Sequence, residues 1–359
     1  MSMQFTQVWA NAGYDASPNP TLIVPRSGSN VIALVGGKDL SLVPSNKNIQ
    51  IEELDPKVAS QPNAFISMFG LDAAFKDKLS IEAALVVSGQ RVFRISSKSV
   101  FGASGSMVDA VVTGTSKVQK KLRVIVLGKR VIKLAIRPVM VRDAQAAWVT
   151  HSQKPFDAKH LVAMMNKVWT PQSNVVFELV SSDPVQFDDE AAIAKALGSA
   201  EKMSLPKFVT FDVFAPMFKA KRHPDAALTI FLVERIGTAY PFTDGAGTRH
   251  QRDEVLGKTE TQDAFALVAD GGRGMGNGER TMSHEAGHWM GSFQGKAKWV
   301  SYGHAELDNN MLMSVGVGVK VTATATVGFF NKNYLGVTQL TVWGVKSRGE
   351  RGSSGSPRG

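Results

Sequence analysis

Short apolar runs separated by turn residues fill the chain from Thr21 to about residue 127: TLIV, NVIALVGG, DLSLV, IQIEEL, AFISMFGL, LSIEAALVV, RVFRIS, MVDAVVTG and KLRVIVL. Runs this short, rich in β-branched side chains and spaced roughly 8–12 residues apart, predict strands of a β-sandwich. Residues 1–18 are polar, and Pro18 and Pro20 break any regular element there. They predict a flexible lead-in, which places the all-β sandwich at 19–128.

From Val131 the rhythm changes. VIKLAIRPVMV predicts a strand, and Asp157 is placed to N-cap a helix through AKHLVAMMNKVW, closed by Thr170-Pro171. VVFELV predicts a strand, and DDEAAIAKALGSAEKM a helix whose first-turn acids suit the helix dipole. FVTFDVF, AALTIFLVERI and AFALVAD read as strands, and the Gly-rich GGRGMGNG leads into a helix beginning near Glu279. Strands alternating with helices make 129–346 a mixed α/β unit, so the fold class expected is multi-domain. The low-complexity, basic 347–359 predicts a disordered tail.

Composition narrows the chemistry. The chain of 359 residues has no cysteine, which excludes disulfide scaffolds, thiol nucleophiles, Fe–S clusters and cysteine-ligated zinc. Any metal must be held by His, Asp, Glu or backbone. No stretch approaches 18 uninterrupted apolar residues, so nothing spans a membrane as a helix. The start, MSMQFTQVWANAGYD, lacks a basic segment followed by an apolar one, so no secretory signal is read. Net charge is +10, and nine bases without an acid lie between Ala110 and Arg142. A nucleic-acid face is one meaning of such a run. The bases alternate with Val, Ile and Leu and are not interleaved with aromatics, which favours solvated strand faces over nucleic acid.

One motif carries chemistry: His284-Glu285-Ala286-Gly287-His288, an H-E-x-x-H. Residues i and i+4 share a helix face, so both imidazoles can reach one Zn²⁺, and Glu285 is placed to take a proton as general base. Other candidates are weaker. Gly272, Gly274, Gly276 and Gly278 are not followed by Lys-Ser/Thr, so they make no P-loop. No G-x-S-x-G is present, His223 and His250 read as surface histidines rather than ligands, and His151 and His160 are weaker ligand candidates still.

Two His leave zinc short of the three protein ligands usual in catalytic sites. The motif and its sequel resemble the metzincin metalloproteases, with their H-E-x-x-H-x-x-G-x-x-H signature and Met-turn. His284, Glu285, His288 and Gly291 match, but Gln294 stands at the last signature position. Downstream, Gly303-His304-Ala305-Glu306-Leu307-Asp308-Asn309-Asn310-Met311-Leu312-Met313 looks like the family's stretch from third His to Met-turn. With about ten residues (roughly 293–302) taken as an insertion, the resemblance implies His304 as third zinc ligand and Met313, or Met311, beneath the metal. Gln294 stays open as the alternative third position. AALTIFLVERI and AFALVAD look like the family's parallel strand and antiparallel edge strand, the latter binding substrate peptide by β-addition. VFRISSKSVFGASGSMVDAVVTGTSKVQKKLRVIVL likewise resembles the closing strands of bacterial Ig-like domains.

The expected protein is therefore an Ig-like sandwich followed by a metzincin-like zinc endopeptidase acting on peptides or proteins. An Ig-like module before a protease, without a signal, suits a bacterial effector secreted by a signal-independent route; otherwise the protein is cytoplasmic. An inhibitor or immunity partner is not legible. Two alternatives stand beside it: a catalytically decayed metzincin fold that binds peptides or surfaces, and a nucleic-acid binder using residues 110–142.

Overall fold

The computed structural model describes residues 4–9, 13–15, 20–36, 40–69, 90–98, 106–114, 120–201, 204–238, 253–260, 263–273, 278–290, 293–294 and 299–300. Over these the chain is mixed α/β, with several sheets and few helices. His304, Met311 and Met313, the run LSIEAALVV and the basic tail lie outside the described residues.

The N-terminal part is a sandwich of two sheets. One holds β1 (Gln4–Gln7), β4 (Ser29–Val35), β7 (Arg91–Ser97) and β6 (Ile49–Leu54) in the order β1-β4-β7-β6, all antiparallel. The other runs β2 (Tyr14–Asp15), β3 (Thr21–Pro25), β9 (Lys120–Leu127), β8 (Ser106–Gly114), β5 (Leu40–Pro44). Here β3 and β9 pair in parallel and the rest antiparallel. The two inner faces meet in one core, with Phe5, Ile32, Leu34, Phe93 and Ile95 from the first sheet against Leu22, Val24, Leu122, Val124 and Val126 from the second. Alternation along β9 places Leu122, Val124 and Val126 inward while Lys121 is exposed and Arg123 half-buried, as a two-faced strand requires.

Two expectations fail in this half. Residues 4–9 are no loose lead-in: β1 pairs with β4, and Phe5, Val8 and Trp9 are buried. The polar residues around them hid three anchoring apolar side chains. AFISMF, the described part of AFISMFGL, is not a strand but most of helix α2 (Pro62–Phe69), preceded by α1 (Pro56–Ala59). Proline at the first helical position presets the backbone of both helices, and a short apolar run alone does not distinguish helix from strand.

The second part is built on β10 (Arg130–Arg142), separated from the end of β9 by two residues. A hairpin returns to β11 (Trp148–Thr150), and α3 (Ala158–Ser173) crosses to β12 (Val175–Ser181), parallel to β10. Asp157 N-caps α3 through its carboxylate and the His160 N–H, 3.1 Å away. The helix does not end at Thr170-Pro171. It carries Pro171 within its last turn and stops at Asn174, which adopts φ 54° and donates to the Leu127 carbonyl at 2.7 Å. After β13 (Val185–Gln186) come α4 (Glu190–Leu197), β14 (Phe208–Thr210) and α5 (Phe211–Ala220). FVTFDVF thus splits into strand and helix, because Phe211, Phe214 and Phe218 recur at helical spacing and are all buried.

The sheet continues from β10 to β15 (Leu228–Val233), β19 (Phe265–Ala269) and β18 (Gly257–Glu260). β12, β10, β15 and β19 are parallel; β18, at one edge, and β11, paired with β10, are antiparallel. A smaller sheet joins β14, β16 (Arg235–Thr238) and β17 (Asp253–Val255). The antiparallel edge is thus Gly257–Glu260, while AFALVAD supplies the parallel β19 inside it. Five buried residues of β19 explain its place: a strand apolar on both faces is covered on both. Helix α6 (Gly278–Met290) follows, then a hairpin of β20 (Phe293–Gln294) and β21 (Trp299–Val300). No helix among the described residues is long and apolar enough to cross a membrane.

The two parts share packing. Ile23, Ile125 and Leu127 of the sandwich belong to the same apolar cluster as Leu161, Val162 and Trp169 of α3. Gly13 (φ 73°) brings the backbone so close that a Cβ there would lie 2.7 Å from the Pro171 carbonyl oxygen. Of the basic run, Arg137 is committed to the fold, donating to the carbonyls of Asp183 at 3.2 Å and Lys221 at 2.9 Å.

Candidate metal centre

Helix α6 is held by its apolar side. Met282, Ala286, Trp289 and Met290 are buried against Met165 and Trp169 of α3 and Ala266 and Val268 of β19. Burying side chains of this size contributes about 1.5–3 kcal/mol each. The Trp169 indole N–H donates to the Ser283 carbonyl at 3.2 Å, which pins the helix in rotation as well as position.

That rotation leaves His284 and His288 half-buried on a neighbouring face. Their rings stand at 87° with centroids 4.6 Å apart, and the two Nε2 atoms are 3.0 Å from each other. Two imidazole nitrogens on one tetrahedral zinc, at bonds of about 2.0–2.1 Å, are spaced roughly 3.3 Å apart. The pair therefore converges on one point at nearly the spacing such an ion requires, and its donor chemistry suits zinc.

Glu285 lies beside them but turns toward the edge strand and is 4% exposed. Its Oε2 meets the Thr259 hydroxyl, which also lies 3.0 Å from the Glu285 backbone carbonyl. A Cβ on Gly257 would stand 2.6 Å from Oε1, so only glycine lets β18 close over the carboxyl. Burial pushes the Glu285 carboxyl up to about 7, against the lowering pull of the Thr259 hydrogen bond and the Lys258 charge. A carboxyl poised there is well matched to exchanging a proton near neutral pH.

The imidazoles of His284 and His288 are thus brought together, while the carboxyl of Glu285 faces β18. Gln294 sits in β20 opposite Trp299. Among the described residues, no group of three or more His, Asp or Glu gathers as a metal cage. Gly257 and Thr259 escaped the sequence reading, since GKTE looks like an ordinary polar connector; only its period of two, Gly257 and Thr259 against Lys258 and Glu260, hints at a strand. His151 is 3% exposed and lies beside Glu234, just past the C-terminal end of β15.

No family model matches the chain, and no curated protein matches it. Among solved structures, a Bacteroides ovatus GH5 xyloglucanase in complex with a XXXG heptasaccharide is similar at 11% identity and a TM-score of 0.21. The match covers 65% of this chain and 46% of that one. At that TM-score the likeness carries nothing about fold or activity.

Proposed function

We propose that the protein is a zinc-dependent endopeptidase of metzincin type carried behind an Ig-like sandwich. The observation that carries this is the convergence of the His284 and His288 Nε2 atoms, 3.0 Å apart, beside the buried carboxyl of Glu285. A mostly parallel sheet with one antiparallel edge strand next to the motif helix supports the metzincin likeness. The hairpin β20–β21 supports an insertion after Gly291: Phe293 pairs with Val300, so the segment leaves and returns at nearly the same place. His304, the proposed third ligand, follows directly. For the sandwich, the orders β1-β4-β7-β6 and β3-β9-β8-β5 agree with the strand order of Ig-like domains.

His284 and His288 would hold the metal through Nε2, with Met313 beneath it. Zinc, when bound, supplies Lewis acidity and lowers the pKa of a water toward about 7. Glu285 accepts the proton of the attacking water and delivers it to the leaving amine. The edge strand offers its outer backbone groups to an extended peptide, since no strand pairs with that side of β18 among the described residues. The test is zinc content with cleavage of fluorescein-labelled casein. Near one equivalent of zinc, and cleavage lost to 1,10-phenanthroline and restored by zinc, is the expected result. A protein that binds no zinc at pH 7.5 sinks the proposal.

A further inference from the structure

We infer that the edge strand β18, through Thr259 and Gly257, sets the position of the Glu285 carboxyl, so that the strand offered to a peptide also aligns the base. The inference rests on Glu285 being the general base and adds two positioning residues to it. Thr259 and Gly257 are two apart on one strand and therefore face the same side, toward α6. Each does a different thing to one carboxyl oxygen. The Thr259 hydroxyl occupies Oε2. Gly257, lacking a side chain, leaves the room that Oε1 fills, since a Cβ would come within 2.6 Å of it and within 2.9 Å of the carboxyl carbon.

The two oxygens are thereby made unequal. Oε2 is engaged by a hydroxyl with a single hydrogen, and Oε1 packs into the space beside Gly257. The register fixes this arrangement, with Gly257 opposite Val268 and Thr259 opposite Ala266 on β19. A slip of one residue would present Lys258 to α6 instead. Pairing of a peptide along the outer side of β18 stiffens the strand and so steadies the carboxyl at the moment it is needed.

Thr259→Val keeps the shape and removes the donor, Thr259→Ser keeps the donor, and Gly257→Ala fills the space beside Oε1. With zinc-loaded protein and fluorescein-labelled casein, Thr259→Val should lower kcat about 10- to 100-fold, the usual worth of a hydrogen bond to a charged group. KM and zinc content should stay within about twofold, and Thr259→Ser should recover most of the loss. Gly257→Ala should lower kcat at least as far. Independently of activity, the Glu285 side-chain ¹³Cδ resonance of zinc-free protein, identified by its loss in Glu285→Gln, should move in Thr259→Val and Gly257→Ala but little in Thr259→Ser. Unchanged kcat together with an unmoved ¹³Cδ signal in Thr259→Val overturns the inference. A wild-type protein that takes up no zinc sinks the peptidase proposal alone, because the ¹³Cδ comparison still decides whether β18 places the carboxyl.

Discussion

Two buried titratable groups pack against the same sheet, one beside Glu234 just past β15 and one against the edge strand β18, and the fold treats them in opposite ways. His151 accepts the Glu234 backbone N–H on Nδ1 at 2.9 Å and donates from Nε2 to the Pro206 carbonyl at 2.9 Å. Beside it, Asp270 accepts from the Ser152 hydroxyl at 2.5 Å and the Gln153 N–H at 2.6 Å. Both ring nitrogens of His151 are used, its tautomer is dictated, and burial holds its pKa below the ordinary value. Glu285, equally buried, has one hydroxyl against Oε2 and a space cut from Gly257 against Oε1. A fully bonded buried group ties strands together. A buried carboxyl with one hydrogen-bonding oxygen engaged and its pKa raised is kept ready for a proton, at some cost in stability.

The widest test of this contrast is catalytic. Glu285→Gln should bind zinc like wild type yet lose peptidase activity about 10²–10⁴-fold, because the amide cannot accept the proton. Undiminished casein cleavage by that variant would put Glu285 on the structural side with His151.

The third ligand comes next in size. His304→Ala should reduce zinc affinity severely in a competitive chelator titration, leaving two imidazoles, while Gln294→Ala should change it little. The reverse ranking would make Gln294 the ligand position and end the insertion model. Gln294→His would then raise affinity toward that of a three-His site.

His151→Ala should act on folding alone. It strands the Glu234 N–H and the Pro206 carbonyl, each worth about 1–3 kcal/mol when buried and unpaired, and should lower the urea midpoint without changing zinc content. Zinc lost in proportion to stability would show that the two centres are not separate.

Smaller, but of opposite sign, are the pH effects. Glu285 keeps its proton up to about 7 in the fold, whereas the unfolded chain releases it near 4.3. The native state then holds more protons between those values, so metal-free stability falls as pH rises through them, by roughly 2–3 kcal/mol. Glu285→Gln should remove that loss and be the more stable protein at pH 8 but not at pH 4.5. For His151 the unfolded chain takes up the proton first, so stability falls as pH drops below about 6.5. Urea unfolding across pH 4.5–8 in the presence of chelator reads both slopes. Parallel slopes would erase the distinction.

How far the chain could be read in advance differs from element to element. The strands RVFRIS and KLRVIVL were legible because short β-branched runs between turn residues mark strands even where both faces are buried, as at Ile125 and Leu127. FVTFDVF was not, since Phe211 and Phe214, helically spaced with Phe218 beyond it, sit inside a run short enough to be either element. Asp157 as an N-cap was legible because the cap is a local bond, made to the N–H three residues on. The end of α3 was not, because Asn174 is held by Leu127 from the sandwich, 47 residues earlier in the chain.

The candidate centre divides along the same line. The five residues from His284 to His288 determine by themselves that two imidazoles share a helix face with a carboxyl between them, because helical periodicity is a property of the local backbone. What that carboxyl meets is decided elsewhere. The partners of Glu285, Gly257 and Thr259, lie more than twenty residues upstream on an edge strand whose register against β19 brings them under α6. The burial of His151 likewise depends on Pro206 and Glu234, brought to it by separate segments. Short-range geometry is written in neighbouring residues, whereas desolvation and hydrogen-bond partners are set by whatever the tertiary fold packs against a group, and no local pattern encodes that.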